Sequence, residues 1–313
     1  MNRRAWLLMA LLAALWGASY LFIKVSLEDG VDPMFIVFAR IALGAIVLVP
    51  LAVRGAGMLT QMRGLAGPIL FLAIVQVVLP FALITYGEQH IASALTGILV
   101  SSAPIFTALN AARFDDDERP HGVATAGVVM GIVGVVLLFG VDLSGDAQAL
   151  AGGLMVLLAS VGYAVGSLFL KHRLRGAPPV GVAASTMLAG TIVLLPFVPF
   201  TLPSGGVELQ TVGALLALGA GGTGIAFAIY FTLIAEIGPG RASLVAYIAP
   251  GFAVLYGVTL LSEPLTVGAI LGLILILAGS WVAAEGRWPG RPRVVPAAPL
   301  EPALELEPEP ERV

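Results

Sequence analysis

The chain has no cysteine, and charged residues fill only 11% of its 313 positions. The first absence excludes disulfides, thiolate nucleophiles and cysteine-ligated metals. The second excludes a water-facing surface, since soluble domains carry roughly 25% charged residues. No G-x-x-x-x-G-K phosphate loop occurs, so the chain encodes no ATP-driven motor. The three histidines, His90, His121 and His172, fall in three different loops and cannot converge on a metal or a substrate. An enzyme is therefore not expected, nor a cofactor, a metal site or a nucleic-acid partner. What is present is 58% hydrophobic, with a mean hydropathy of +0.99.

A hydrocarbon core about 30 Å thick is crossed by roughly 20 apolar residues in a helix. Such runs recur at residues 5–25, 33–53, 66–87, 91–112, 121–141, 150–170, 179–200, 210–235, 239–261 and 265–285. They are continuously apolar, which favours helices over the alternating strands of a barrel. The expected fold is thus an all-α integral membrane protein of ten transmembrane helices in a lipid bilayer. Glu236-Ile237-Gly238-Pro239 is the least distinct break and is read as a turn. With the N terminus inside, the inner loops collect Arg3, Arg4, Arg54, Arg63, Arg113, Arg119, Lys171, Arg173, Arg175, Arg241 and the arginines after Gly286, while the outer loops receive only Lys24. This sorting follows the positive-inside rule and predicts an inner (plasma) membrane protein with both termini cytoplasmic. Residues 287–313, rich in Pro, Ala and Glu, read as a disordered cytoplasmic tail.

The two halves repeat. Trp16 to Lys24 (WGASYLFIK) matches Tyr163 to Lys171 (YAVGSLFLK), and near the same offset Pro33 meets Pro179, Pro50 meets Pro196, Pro104 meets Pro250 and Glu118 meets Glu263. Five helices per half is an odd number, so the second half enters from the other side. This predicts inverted repeats, residues 1–145 and 146–286, with a solute site between them near the midplane. Ten helices, the duplicated unit, Trp16-Gly17-Ala18-Ser19 and the Pro104/Glu118 and Pro250/Glu263 pairs resemble the EamA family of the drug/metabolite transporter superfamily. The run Arg113 to Glu118 departs from the apolar stretch usual there. The resemblance implies a secondary transporter, an exporter by analogy, of a small organic metabolite or drug, with a cavity lined largely by helices three, four, eight and nine. The other reading is a non-transporting sensor or complex subunit.

Buried polar groups are the candidate site, because they are costly in lipid. Arg40 lies about seven residues into the second helix, either as a counter-ion for an anionic solute or snorkelling to the interface. Trp16, Gln76, Ser101, Tyr230 and Tyr247 are the other candidate solute contacts, each set against packing. Tyr20 and Tyr163, near helix ends, suit an interface belt, and Lys24 a snorkelling role. Pro80, Pro104 and Pro250 would kink or gate helices. No acid stands at the middle of a span, so proton coupling has no support here, and Glu88 is the remaining candidate for it. Gly127-x-x-x-Gly131 and Gly268-x-x-x-Gly272 allow close helix packing, of these two helices or of a homodimer.

Overall fold

A computed structural model describes residues 1–55, 64–114, 121–203 and 205–285. Glu118 and the tail at 287–313 therefore lie outside the described residues. Ten apolar helices are present among those described: α1 (Arg3–Glu28), α2 (Pro33–Arg54), α3 (Ala66–Gly87), α4 (Ser93–Asn110), α5 (Val123–Val141), α6 (Ala147–Arg173), α7 (Pro179–Thr201), α8 (Leu209–Ile237), α9 (Val245–Leu260) and α10 (Val267–Glu285). Helix starts follow from local chemistry. Asn2, Asp32 and Asp146 each accept a hydrogen bond from the first turn of α1, α2 and α6, and Pro33 pre-sets the first turn of α2. The break after α8 is a turn: Gly238 adopts φ +83°, which favours glycine, and Pro239 opens the short helix Pro239–Ala242 before α9.

Contacts between helix ends fix the threading. Arg4 at the start of α1 pairs with Glu236 at the end of α8, and Lys24 at the end of α1 reaches the carbonyl of Glu88 after α3. Asp142 after α5 accepts from Thr266 before α10. Successive helices thus run in opposite directions. One end of the bundle, called here the basic face, gathers Arg54, Arg113, Lys171, Arg173 and Arg241, and the opposite face gathers Lys24 with Glu88, Asp142 and Glu263.

Helix pairing is two-fold pseudosymmetric. α1 packs on α9 and α8, as α6 packs on α4 and α3; α2 packs on α8, as α7 packs on α3. Three pairs join equivalent helices across the halves: α2 with α7, α4 with α9, and α5 with α10. The α5–α10 pair forms a flank that packs mainly on α4.

That flank closes on glycine. A Cβ at Gly134 would stand 3.0 Å from the Gly272 carbonyl oxygen, and one at Gly279 would stand 2.7 Å from the Gly127 oxygen. Gly131 faces Ile105 and Gly279, and Gly268 faces Asp142. Backbones this close allow dispersion contacts that larger side chains would prevent.

Two helices leave the α ladder. Ala73–Val78 of α3 and Ala217–Ile225 of α8 are π-helical. The first precedes Pro80, whose missing N–H and ring the wider turn accommodates. The second is the glycine run Gly219-Ala220-Gly221-Gly222-Thr223-Gly224. α4 is interrupted at Ser101 and Ser102, just before Pro104, and Pro250 sits inside the continuous helix α9.

Candidate functional site

The π-helical segment of α8 sets the centre. Its glycines let α8 approach α2: Gly219 lies against the Arg40 carbonyl and Leu43, Gly224 against Val47, and Gly44 of α2 makes room for Thr223. The Thr223 hydroxyl donates to the Leu218 carbonyl within the π-helical segment at 3.2 Å, and the same Oγ1 accepts from Arg40 Nε at 3.1 Å. Arg40 is 8% exposed, and its guanidinium carbon lies 3.7 Å from the centroid of the Phe81 ring on α3. It does not snorkel. A cation stacked on an aromatic face is stabilised by the ring quadrupole, more so away from water.

Towards the basic face, an aromatic wall joins α1 to α8. Trp16 lies 5.4 Å from Tyr230 and 6.2 Å from Phe227, ring centre to ring centre. Phe227 and Phe231 pack on the same core as Phe81 and Tyr163. Gln76, in the π turn of α3, sits on Gly166 of α6. These residues come from both halves of the chain and meet between them.

Ser101 and Tyr247 are placed differently. The Ser101 hydroxyl donates to Ile98 in its own helix, the Tyr247 hydroxyl to the Ser280 carbonyl of α10, and the Ser280 hydroxyl to the Ser101 carbonyl. They form a seam through α4, α9 and α10 and do not join Arg40. Tyr20 and Tyr163 leave the interface belt: both lie within electrostatic range of the Arg40 guanidinium. Thr223 and Phe81 were not singled out in the sequence. The glycine run around Thr223 was the available signal, since small residues mark a close helix approach.

On the opposite face, two acids behave in contrasting ways. Glu263, between α9 and α10, accepts from the Ser93 and Ala94 amides at 2.7 and 2.9 Å and from the Ser93 hydroxyl at 3.1 Å. It thereby caps the first turn of α4 from the other half of the chain, where the helix dipole favours an anion. Glu88, one residue beyond α3, is 0% exposed, and neither carboxyl oxygen has a hydrogen-bond partner among the described residues. Burial raises its pKa well above the usual value, with Glu263 adding to the rise and Lys24 and Arg40 opposing it. Lys24 reaches the Glu88 and Ile91 carbonyls at 3.0 and 3.4 Å, capping the chain end of α3 rather than extending to water. Two recesses open elsewhere, one along α2 beside Val207 and one on the basic face between Asn110 and His172.

Ten membrane-spanning helices paired by a two-fold pseudosymmetry, with a polar centre between the halves, define a two-repeat membrane transporter rather than an enzyme. The chain belongs to the EamA-like transporter family, which matches it twice, over residues 4–140 and 150–284. It is 27% identical to a protein named an uncharacterized transporter of Bacillus subtilis (strain 168), over 85% of this chain and 91% of that one. It is 25% identical to a probable amino-acid metabolite efflux pump of Escherichia coli (strain K12), over 92% of this chain and 97% of that one. An uncharacterized inner membrane transporter of the same organism is 28% identical, over 90% and 92%. A crystal structure with 23% identity and a TM-score of 0.64, covering 90% of this chain and 98% of its own, shares the fold.

Proposed function

We infer that the chain is a secondary carrier that exports a small organic solute across an inner membrane, with the basic face in the cytoplasm. The observation that carries this reading is the Arg40–Thr223 bond at 3.1 Å, which ties a buried cation in the first half to a π turn in the second. A charge is retained in a membrane interior where it serves a pathway or a site. The relatives named amino-acid metabolite efflux pumps support export of a metabolite of that size. The mechanism is alternating access: the halves rock about the centre, and the solute, held among Arg40, Gln76, Trp16 and Tyr230, meets one face at a time. The Arg-rich loops support the orientation. Residues 1–145 and 146–286 are the rocking units.

The test is flux. Purified protein in liposomes is loaded with a labelled metabolite panel, with and without a pH gradient. Expected is flux of one solute class, lost in Tyr230→Ala and Gln76→Ala. No flux of any solute from folded protein would instead favour a non-transporting sensor or complex subunit.

A further inference from the structure

Arg40 is a buried cation that makes no ion pair with a described residue. Glu88, the one acid acting on it electrostatically, stands beyond salt-bridge distance, and its carboxyl oxygens accept no hydrogen bond from a described residue. Its bonds are used only on one side, by Thr223 at Nε and by the Phe81 ring on the guanidinium face. The terminal nitrogens donate to no described residue. Nor are they sealed: the sealed, unpartnered side-chain atoms among the described residues are the two Glu88 oxygens, Asn110 Nδ2 and Asp142 Oδ2. The outer fork of the guanidinium is therefore neither bonded to the described residues nor fully closed off by them. The hydroxyls of Tyr20 and Tyr163, half-buried within electrostatic range of Arg40, likewise make no hydrogen bond to a described residue. An unpaired buried charge is costly unless something completes it.

We propose that Arg40, Tyr20 and Tyr163 form the binding site for the carboxylate of the transported solute, an organic monocarboxylate with an apolar body. A planar fork of two N–H donors matches a carboxylate bidentately, which an ammonium does not. Two phenol donors supply bonds to its remaining lone pairs. Thr223 and Phe81 hold the fork in place on its other side. Phe227 and Phe231, packed on the same core as Phe81 and Tyr163, lead from the fork to Trp16 and Tyr230 and provide the apolar wall for the solute's body. This deepens the carrier reading and rests on it.

The experiment compares three probes of one shape: 3-phenylpropionate, its neutral amide 3-phenylpropanamide, and the cation 3-phenylpropylamine. Binding is read from the thermal unfolding midpoint of detergent-purified wild type, and transport from flux in liposomes. The carboxylate is expected to raise the midpoint, with the amide and the amine at least about tenfold weaker, because a charge-assisted bidentate bond is lost. Arg40→Gln should abolish the difference, Arg40→Lys should not restore it, and Tyr163→Phe should weaken the carboxylate alone. Equal protection by the amide, equal protection by inorganic phosphate, or no response to the carboxylate would overturn the proposal. The probe comparison in wild type needs no variant to fold. Flux of a neutral or cationic solute that persists in Arg40→Gln would sink the carboxylate site and leave the carrier standing. Absence of all flux from folded protein would sink the carrier reading itself.

Discussion

A carboxyl removed from water without a donor holds its proton more tightly, and Glu88 meets both conditions. The consequence for stability has a definite sign. Between the usual value of 4.5 and its raised folded value, Glu88 binds more protons in the folded than in the unfolded chain. Stability therefore falls as pH rises through that window, and is fullest on its acid side. The charges facing Glu88 are the Lys24 amine and the Arg40 guanidinium, which temper the effect, and the Glu263 carboxylate, which adds to it. The difference in unfolding midpoint between Glu88→Gln and wild type should thus grow in favour of the variant as pH increases from about 4.5. A constant difference across the range would mean that Glu88 ionises at its ordinary value. Little of this was legible in the sequence. Arg40 announced itself as a charge inside an apolar run, but its stacking on Phe81 depends on how α2 meets α3. Glu88 stood out only as the remaining candidate for proton coupling, at a helix end, because position along a helix does not report burial. Lys24 of α1, which reaches the Glu88 and Ile91 carbonyls, and α6, which packs through Gly152 and Val156 on Gly87, His90 and Ile91, stand around that segment.

The helices themselves were largely readable, since continuous apolar runs bounded by Arg, Gly and Pro leave few alternatives in lipid. The turn at Gly238 was readable for a local reason, a glycine at positive φ followed by proline. The π segments were not. An i−5 ladder costs alignment, and what offsets it here is tertiary: Gly219, Gly222 and Gly224 bring α8 onto α2 and α1, and Pro80 shapes α3. Glycine contacts of this kind predict where substitution is expensive. Gly279→Leu would drive a Cβ into the Gly131 amide and the Gly127 carbonyl, backbone atoms that cannot rotate away. It should destabilise the α5–α10 flank by about 1–3 kcal/mol or more, as overpacking does. Gly140→Leu, with nothing within 4 Å, should be near neutral. Unfolding of both in detergent, monitored by the change in helicity, separates the cases. Equal stabilities would mean the flank yields without cost, and that its glycines are not what joins the two helices.

At the scale of the whole molecule, the two faces are fastened with unequal strength. The described ion pair on the basic face, Arg4 to Glu236 at 3.1 Å, involves an Arg side chain 70% exposed, and such pairs contribute little. On the opposite face Glu263 holds two backbone amides and a hydroxyl of α4, and Gly257 leaves the space for its carboxylate. Hydrogen bonds to a charged acceptor are worth roughly 1.5–3 kcal/mol each. On the alternating-access reading proposed above, this latch would have to release for the opposite face to open, and so would bias the resting state towards closure there. The absence of native cysteine gives a clean reporter. Ile91→Cys places a thiol two residues before Ser93, at a position where the native side chain is 5% exposed. Its labelling by a membrane-impermeant maleimide should be slow in the wild-type background. Adding Glu263→Ala should accelerate it by at least about tenfold, the factor that a loss of roughly 1.5 kcal/mol implies. Glu263→Gln, which keeps one acceptor but loses the charge, should fall between. Labelling unchanged by Glu263→Ala, in protein of unaltered helicity, would mean that the cap serves only to start α4 and that another contact holds the opposite face closed.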